Sequence, residues 1–168
     1  MLDKLTKKLG NSETFRTLIF GLEDGLVSTG GVIIGVSAGV SEKRIILLAG
    51  LVTIAVEALS MAAGEYLSQK SSQQMKKQVN QKHLLESAMV MYLSYASAGL
   101  VPISAFLFFP VATARFVAII ASLTALFLIG FIKGKILGLD SLKSGIEFLL
   151  VGGTATLVGI VVGLVFGV

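Results

Sequence analysis

Apolar residues run through this chain in five long blocks, each wide enough for a membrane-spanning helix of about 20 residues, with polar residues gathered between them. The pattern predicts spans over 15–39, 45–68, 84–109, 111–132 and 145–168, and hence an all-α polytopic membrane protein made of one transmembrane domain. Residues 1–14 form a short Lys-bearing N-terminus with a turn of interfacial helix, and 40–44 (VSEKR) form a tight polar turn. The extended polar stretch at 69–83 contains neither Gly nor Pro, which predicts a helical extension into water rather than a flexible linker. Pro102 is expected to interrupt the third span, Pro110 to mark the turn into the fourth, and 133–143 to form another polar turn. The first apolar run is too long for a signal peptide, contains acids and lacks a small-residue cleavage site, so it reads as a retained span.

Composition fits this picture: 54% hydrophobic and 14% charged residues are more apolar than a soluble domain of 168 residues can use. The absence of Cys excludes a disulfide framework and a thiolate metal site. Five spans put the termini on opposite sides of the bilayer. Eleven basic residues (Lys4, Lys7, Lys8, Arg16, Lys70, Lys76, Lys77, Lys82, Lys133, Lys135 and Lys143) fall on one side and three (Lys43, Arg44 and Arg115) on the other. That bias places the N-terminus in the cytoplasm. These flanks account for the net charge of +4, leaving no case for nucleic-acid binding. An odd number of spans cannot divide into two equal repeats, so internal symmetry would have to come from a second subunit. Gly31, Gly35 and Gly39, and likewise Gly159, Gly163 and Gly167, form small-residue stripes that permit close helix approach, within one subunit or between two.

Chemistry concentrates in the first two spans. Glu23 and Asp24 lie inside the first, where the pair costs about 5 to 7 kcal/mol to insert and the surrounding apolar residues recover only about 3 to 7. These acids are therefore expected to face protein, water or an ion. With a rise of about 1.5 Å per residue, Asp24 and Met61 fall at a common depth, about 4 to 6 Å to the cytoplasmic side of the bilayer centre. Glu57, Met61 and Glu65 follow at i, i+4, i+8 on one face of the second span, a ladder from mid-membrane to its cytoplasmic edge. Carboxylates with a thioether suit Fe²⁺ or Mn²⁺ better than Mg²⁺ or Ca²⁺. Met61 by itself is an ordinary packing residue, and Glu65 reads equally as a solvated interfacial charge. His83 is a surface residue with a weaker metal-access role beside Glu86, and Lys133 and Lys135 read as interfacial anchors. No nucleophile–base pair, phosphate loop or HExxH motif suggests an enzyme.

FGLEDGLVSTGG in the first span and EALSMAAGEYLS in the second closely resemble the signature stretches of the vacuolar iron transporter family, and ALFLIGFIKGKILG and the Gly-rich fifth span are also similar. The resemblance implies a five-span homodimer that exports Fe²⁺, often also Mn²⁺, from the cytosol in exchange for protons, through a path at the dimer interface between first and second spans. It makes Asp24 and Met61 path ligands and Glu65 a cytoplasmic-side ligand, with no resident cofactor. Glu23 stands where many members have Asn and Glu57 where many have a small residue, so their candidacy rests on membrane cost. The polar stretch at 69–83 replaces the long cytoplasmic metal-binding domain of plant members, which marks the shorter nodulin-like and prokaryotic type and favours a prokaryotic inner membrane over an organelle membrane. Two other readings compete: a proton-coupled exporter of organic cations, disfavoured by the absence of Trp to stack on the cargo, and a non-transporting scaffold subunit.

Overall fold

The computed structural model describes residues 12–167, which form five α-helices: α1 (Ser12–Gly39), α2 (Lys43–Met75), α3 (Gln81–Phe108), α4 (Val111–Leu137) and α5 (Ser141–Phe166). All five are long and apolar enough to cross a membrane, in agreement with the hydrophobic blocks. The expected interfacial turn at the N-terminus lies outside the described residues except at 12–14, which already belong to α1.

Beyond helix starts a few residues earlier than the apolar blocks, as at Gln81 and Ser141, the helices depart from the hydropathy pattern in three places. First, α2 continues seven residues past the apolar block to Met75, as its polar stretch predicts, but the extension ends there in a short turn where Lys77 adopts φ 54°. Second, α3 runs unbroken through the buried Pro102, contrary to the interruption expected. Proline removes one backbone donor, and inside a helix bundle the neighbouring helices hold such a segment straight enough to continue. Third, Lys133 and Lys135 lie in the last turns of α4 rather than in a loop. The chain then reverses at Gly138, whose left-handed φ of 67° ends α4, and Asp140 caps α5 by accepting from the backbone N–H groups of Leu142 (3.0 Å) and Lys143 (3.1 Å).

The arrangement is an arc around a hub. Helices α2, α3, α4 and α5 each pack on the next, and α1 touches all four from inside. No substantial contact joins α2 to α5 among the described residues, so one side of α1 stays open. The glycine stripes of α1 and α5 turn out to be partners within the chain. A Cβ on Gly35 would sit 2.6 Å from the Gly159 carbonyl oxygen, and Gly39 and Gly163 meet in the same way. Backbone contact of this kind replaces side-chain interdigitation, which gains little where lipid tails are as apolar as leucine. Large apolar side chains such as Leu48, Phe116 and Leu150 point outward instead, toward the bilayer.

At the end of the bundle away from the N-terminus, cations finish two helices. The Arg115 guanidinium donates to the Ser37 carbonyl and to its hydroxyl (3.1 Å), and Lys43 Nζ donates to the Leu107 carbonyl (3.2 Å). Both satisfy carbonyls that a helix C-terminus leaves unpaired, in the favourable sense of the helix dipole. Replacing Arg115 with Ala is expected to lower stability in detergent by about 2 kcal/mol, with Arg115→Lys intermediate because it can make one of the two bonds. Equal melting temperatures for all three proteins would refute this assignment.

Candidate functional site

Two of the sequence-predicted acids, Glu57 and Glu65, lie along the seam between α1, α2 and α3, where α1 and α2 run antiparallel across the short turn at 40–42. Two contacts fix the register of that hairpin: Thr17 on α1 reaches Glu65 on α2, and Ser28 on α1 reaches Glu57 on α2. Asp24 lies one turn from Ser28, and Met61 lies one turn from Glu57, displaced in the same direction through the bilayer. Asp24 and Met61 therefore share a level, as helical rise predicts.

Each glutamate of α2 is held by one hydroxyl from α1 and one from α3. Glu57 accepts hydrogen bonds on Oε2 from Ser28 and from Tyr95, whose ring is fully buried. Glu65 accepts on Oε1 from the Thr17 hydroxyl (2.6 Å), the Ser87 hydroxyl (3.1 Å) and the Gln69 amide (2.6 Å), with Arg16 at 3.8 Å. Glu65 is 9% exposed, which corrects the view of it as a solvated interfacial charge. Its burial is offset by three hydrogen-bond donors and the nearby Arg16 guanidinium. In both glutamates the second carboxylate oxygen accepts no hydrogen bond among the described residues.

Asp24 and Glu23 differ from these two. Each is half-buried, and neither accepts a hydrogen bond or forms an ion pair among the described residues. Successive residues project about 100° apart on a helix, so the two adjacent acids serve different neighbours. Glu23 lies within electrostatic reach of Lys133 and Asp24, whereas Asp24 lies within reach of Glu57. The flanking Gly21 and Gly25 press α1 against α3, where a Cβ on either would meet Ser94 or the Tyr95 backbone. Asp24 is on the same helical face as Ser28, Gly31 and Gly35, which line an apolar groove of about 850 Å³ between α1 and α5. The acid thus sits at the end of the side of α1 that the arc leaves uncovered.

Among the described residues, no three His, Asp or Glu side chains of a single chain gather as a metal-holding group. His83 lines a separate polar pocket with Glu13, Gln73 and Asn80, with Gln73 Nε2 at 3.5 Å from its Nδ1, while Glu86 faces Lys82 at 3.8 Å. Lys133 holds its ammonium 4.7 Å from the centre of the Phe148 ring, a cation–π contact between α4 and α5. Sequence reasoning missed Thr17, Ser28, Ser87 and Tyr95 altogether.

Comparison with known proteins gives a consistent pattern. The sequence profile of the VIT family matches residues 15–86 and 75–164, the two segments overlapping across the α2–α3 turn. Vacuolar iron transporter homolog 3 of Arabidopsis thaliana is 32% identical, with 84% of this chain and 77% of the relative aligned. Homolog 1 from the same plant is 30% identical over 155 residues, again 84% and 77% of the two chains. Vacuolar iron transporter 1 of Tulipa gesneriana is 25% identical over 207 residues, covering 86% of this chain and 84% of its own. The tulip alignment is 207 positions long against 155 for nearly the same share of this chain, so the additional positions are residues this shorter chain lacks.

Proposed function

The chain belongs to the VIT family, and on that premise we propose that it carries Fe²⁺, and also Mn²⁺, out of the cytosol in exchange for protons. The observation that carries this reading is Asp24: a charged group at mid-span, half-exposed on the uncovered side of α1, with no hydrogen bond or ion pair among the described residues to account for its insertion cost. A second copy docked on that side by a twofold axis closes the gap between α2 and α5 and brings a second Asp24 and Met61 across from the first. Four ligands then surround the path, and the unengaged oxygens of Glu57 and Glu65 extend it along α2 from mid-membrane toward the N-terminal end. Glu23, set between Lys133 and Asp24, balances charge beside it. The basic bias across the bilayer, with Lys43 and Arg115 on the poorer side already used as helix caps, supports a cytoplasmic N-terminus.

Coupling follows from competition. A carboxylate in a low-dielectric site favours its neutral form, and a bound divalent cation favours the charged one, so metal loading expels protons and protons arriving from the other side expel metal. The test is Fe²⁺ flux into proteoliposomes holding the purified protein, under an imposed pH gradient, with internal pH followed at the same time. Metal and proton movement in opposite directions is expected. Flux of an organic cation in place of any metal, or no flux at all, would refute the reading in favour of a drug exporter or a scaffold.

A further inference from the structure

Helix α3 contributes no acid to the path, yet it places a fully buried tyrosine hydroxyl beside one. A phenol in an apolar core costs free energy unless its O–H finds an acceptor, and a phenylalanine would fill the same space without that cost. The acceptor at Tyr95 is Glu57 Oε2, which also takes the hydroxyl of Ser28. Two donors on one oxygen, arriving from α3 and from α1, fix the plane of the carboxylate. They leave Oε1 as the one oxygen Glu57 can offer to a cation. Glu57 in turn stands one turn along α2 from Met61 and within electrostatic reach of Asp24.

We propose that Tyr95 is a positioning residue for metal binding: it acts through Glu57, orienting that carboxylate so that its free oxygen completes the cation site at the level of Asp24 and Met61. The inference rests on the transport reading given above and assigns α3 a part in the site. Met91 and Ala98, one turn to either side of Tyr95, are buried and apolar, so the polar groups around its hydroxyl are the Glu57 carboxylate it donates to and the Ser28 and Thr29 hydroxyls of α1.

The experiment compares Fe²⁺ uptake by native protein, Tyr95→Phe, Glu57→Gln and the double variant in proteoliposomes, resolving KM from maximal rate and recording melting temperatures alongside. Tyr95→Phe is expected to raise KM about tenfold at a near-native maximal rate, the size of effect that losing one hydrogen bond to a charged group produces. Because Tyr95 acts through Glu57, the double variant is expected to match Glu57→Gln alone. Ser28→Ala, which removes the other donor to the same oxygen, is expected to raise KM in the same direction and also to add nothing to Glu57→Gln. This pair of donor deletions keeps the proposal testable if either variant folds poorly. A KM unchanged in Tyr95→Phe while native protein transports normally would overturn the inference and leave the transport reading standing. Multiplying losses in the double variant would do the same, because a purely structural tyrosine is indifferent to Glu57. Absence of Fe²⁺, Mn²⁺ and Co²⁺ flux in the native protein would overturn both.

Discussion

Asp24→Asn is expected to reduce Fe²⁺ flux at least a hundredfold while leaving the fold as stable as before, or more so. The two halves of that result have separate causes. Asparagine keeps the size of aspartate and removes one negative charge. At an effective dielectric of about 20, a unit charge about 4 Å away is worth about 4 kcal/mol to a cation, and each 1.4 kcal/mol is about tenfold in occupancy. On the proposed path a divalent ion would depend on that charge, because Met61 contributes none. The fold has nothing comparable to lose: Asp24 has neither a hydrogen bond nor an ion pair among the described residues, and neutralising it removes an insertion cost of about 2.5 to 3.5 kcal/mol. Flux and melting temperature measured on one preparation separate the two. Undiminished flux would remove Asp24 from the path; a large drop in melting temperature would show that its role is structural. Glu23→Gln, at the neighbouring position but set toward Lys133, is expected to lose far less.

Gly35→Val is expected to be the most damaging change away from the acids. The added Cβ would lie 2.6 Å from the Gly159 carbonyl oxygen, and the obstacle is backbone, which cannot swing aside as a side chain can. Overpacking of this kind costs about 1 to 3 kcal/mol, and two backbones in register place this site at the upper end. Helix α1 would also be pushed off α5, displacing the face that carries Asp24 and Ser28, so transport should fall together with stability. The matched control is Gly153→Ala on α5, where an added Cβ meets nothing within 4 Å and the better helix propensity of alanine should stabilise by up to about 1 kcal/mol. Thermal melts of the two variants should move in opposite directions. If Gly35→Val melts like the native protein, the close backbone contact of α1 with α5 is not what holds the hub in its arc.

Much of this architecture was legible before any coordinates. Five spans follow from apolar block length, and the common depth of Asp24 and Met61 follows from helical rise, because the contacts between α1 and α2 set the register that the turn at 40–42 predicts. What hydropathy could not locate were helix ends in water: α2 continues to Met75 and α4 through Lys133 and Lys135 because polar and basic residues are good helix formers, a propensity that membrane blocks do not register. Pro102 misled for a related reason, since the rule that proline breaks a helix is weakened where packing on several sides holds the segment. The clamps on the glutamates left no trace in the sequence. Thr17 and Glu65 are 48 positions apart, Tyr95 and Glu57 are 38 apart, and a hydroxyl on an apolar helix looks the same whether it bonds its own backbone, as Ser37 does with Ile34, or reaches across to a carboxylate. Only the relative rotation of three helices decides between these fates. The glycine stripes carried the opposite ambiguity: their spacing announced a close contact without saying whose, and the contact lies inside the chain.

The turn between α2 and α3 has a practical consequence. Its flanks are held by side chains as well as by the turn's own backbone bonds, such as Gln78 N–H to the Gln73 carbonyl at 3.0 Å: Gln73 accepts from the Asn80 backbone N–H at 2.8 Å, and Tyr66 donates to Gln81 at 3.0 Å. Lengthening a connection whose ends are already pinned adds little entropic cost, because closure entropy grows only with the logarithm of loop length. A rigid reporter domain or fluorescent protein spliced between Gln78 and Val79, past that backbone bond, would therefore project from the bilayer without disturbing the Glu65 cluster, whose nearest members Gln69 and Ser87 lie more than two turns away. For a 17.6 kDa chain made almost wholly of membrane helix, such a graft supplies the external landmark that particle alignment in electron microscopy and single-molecule tracking both require.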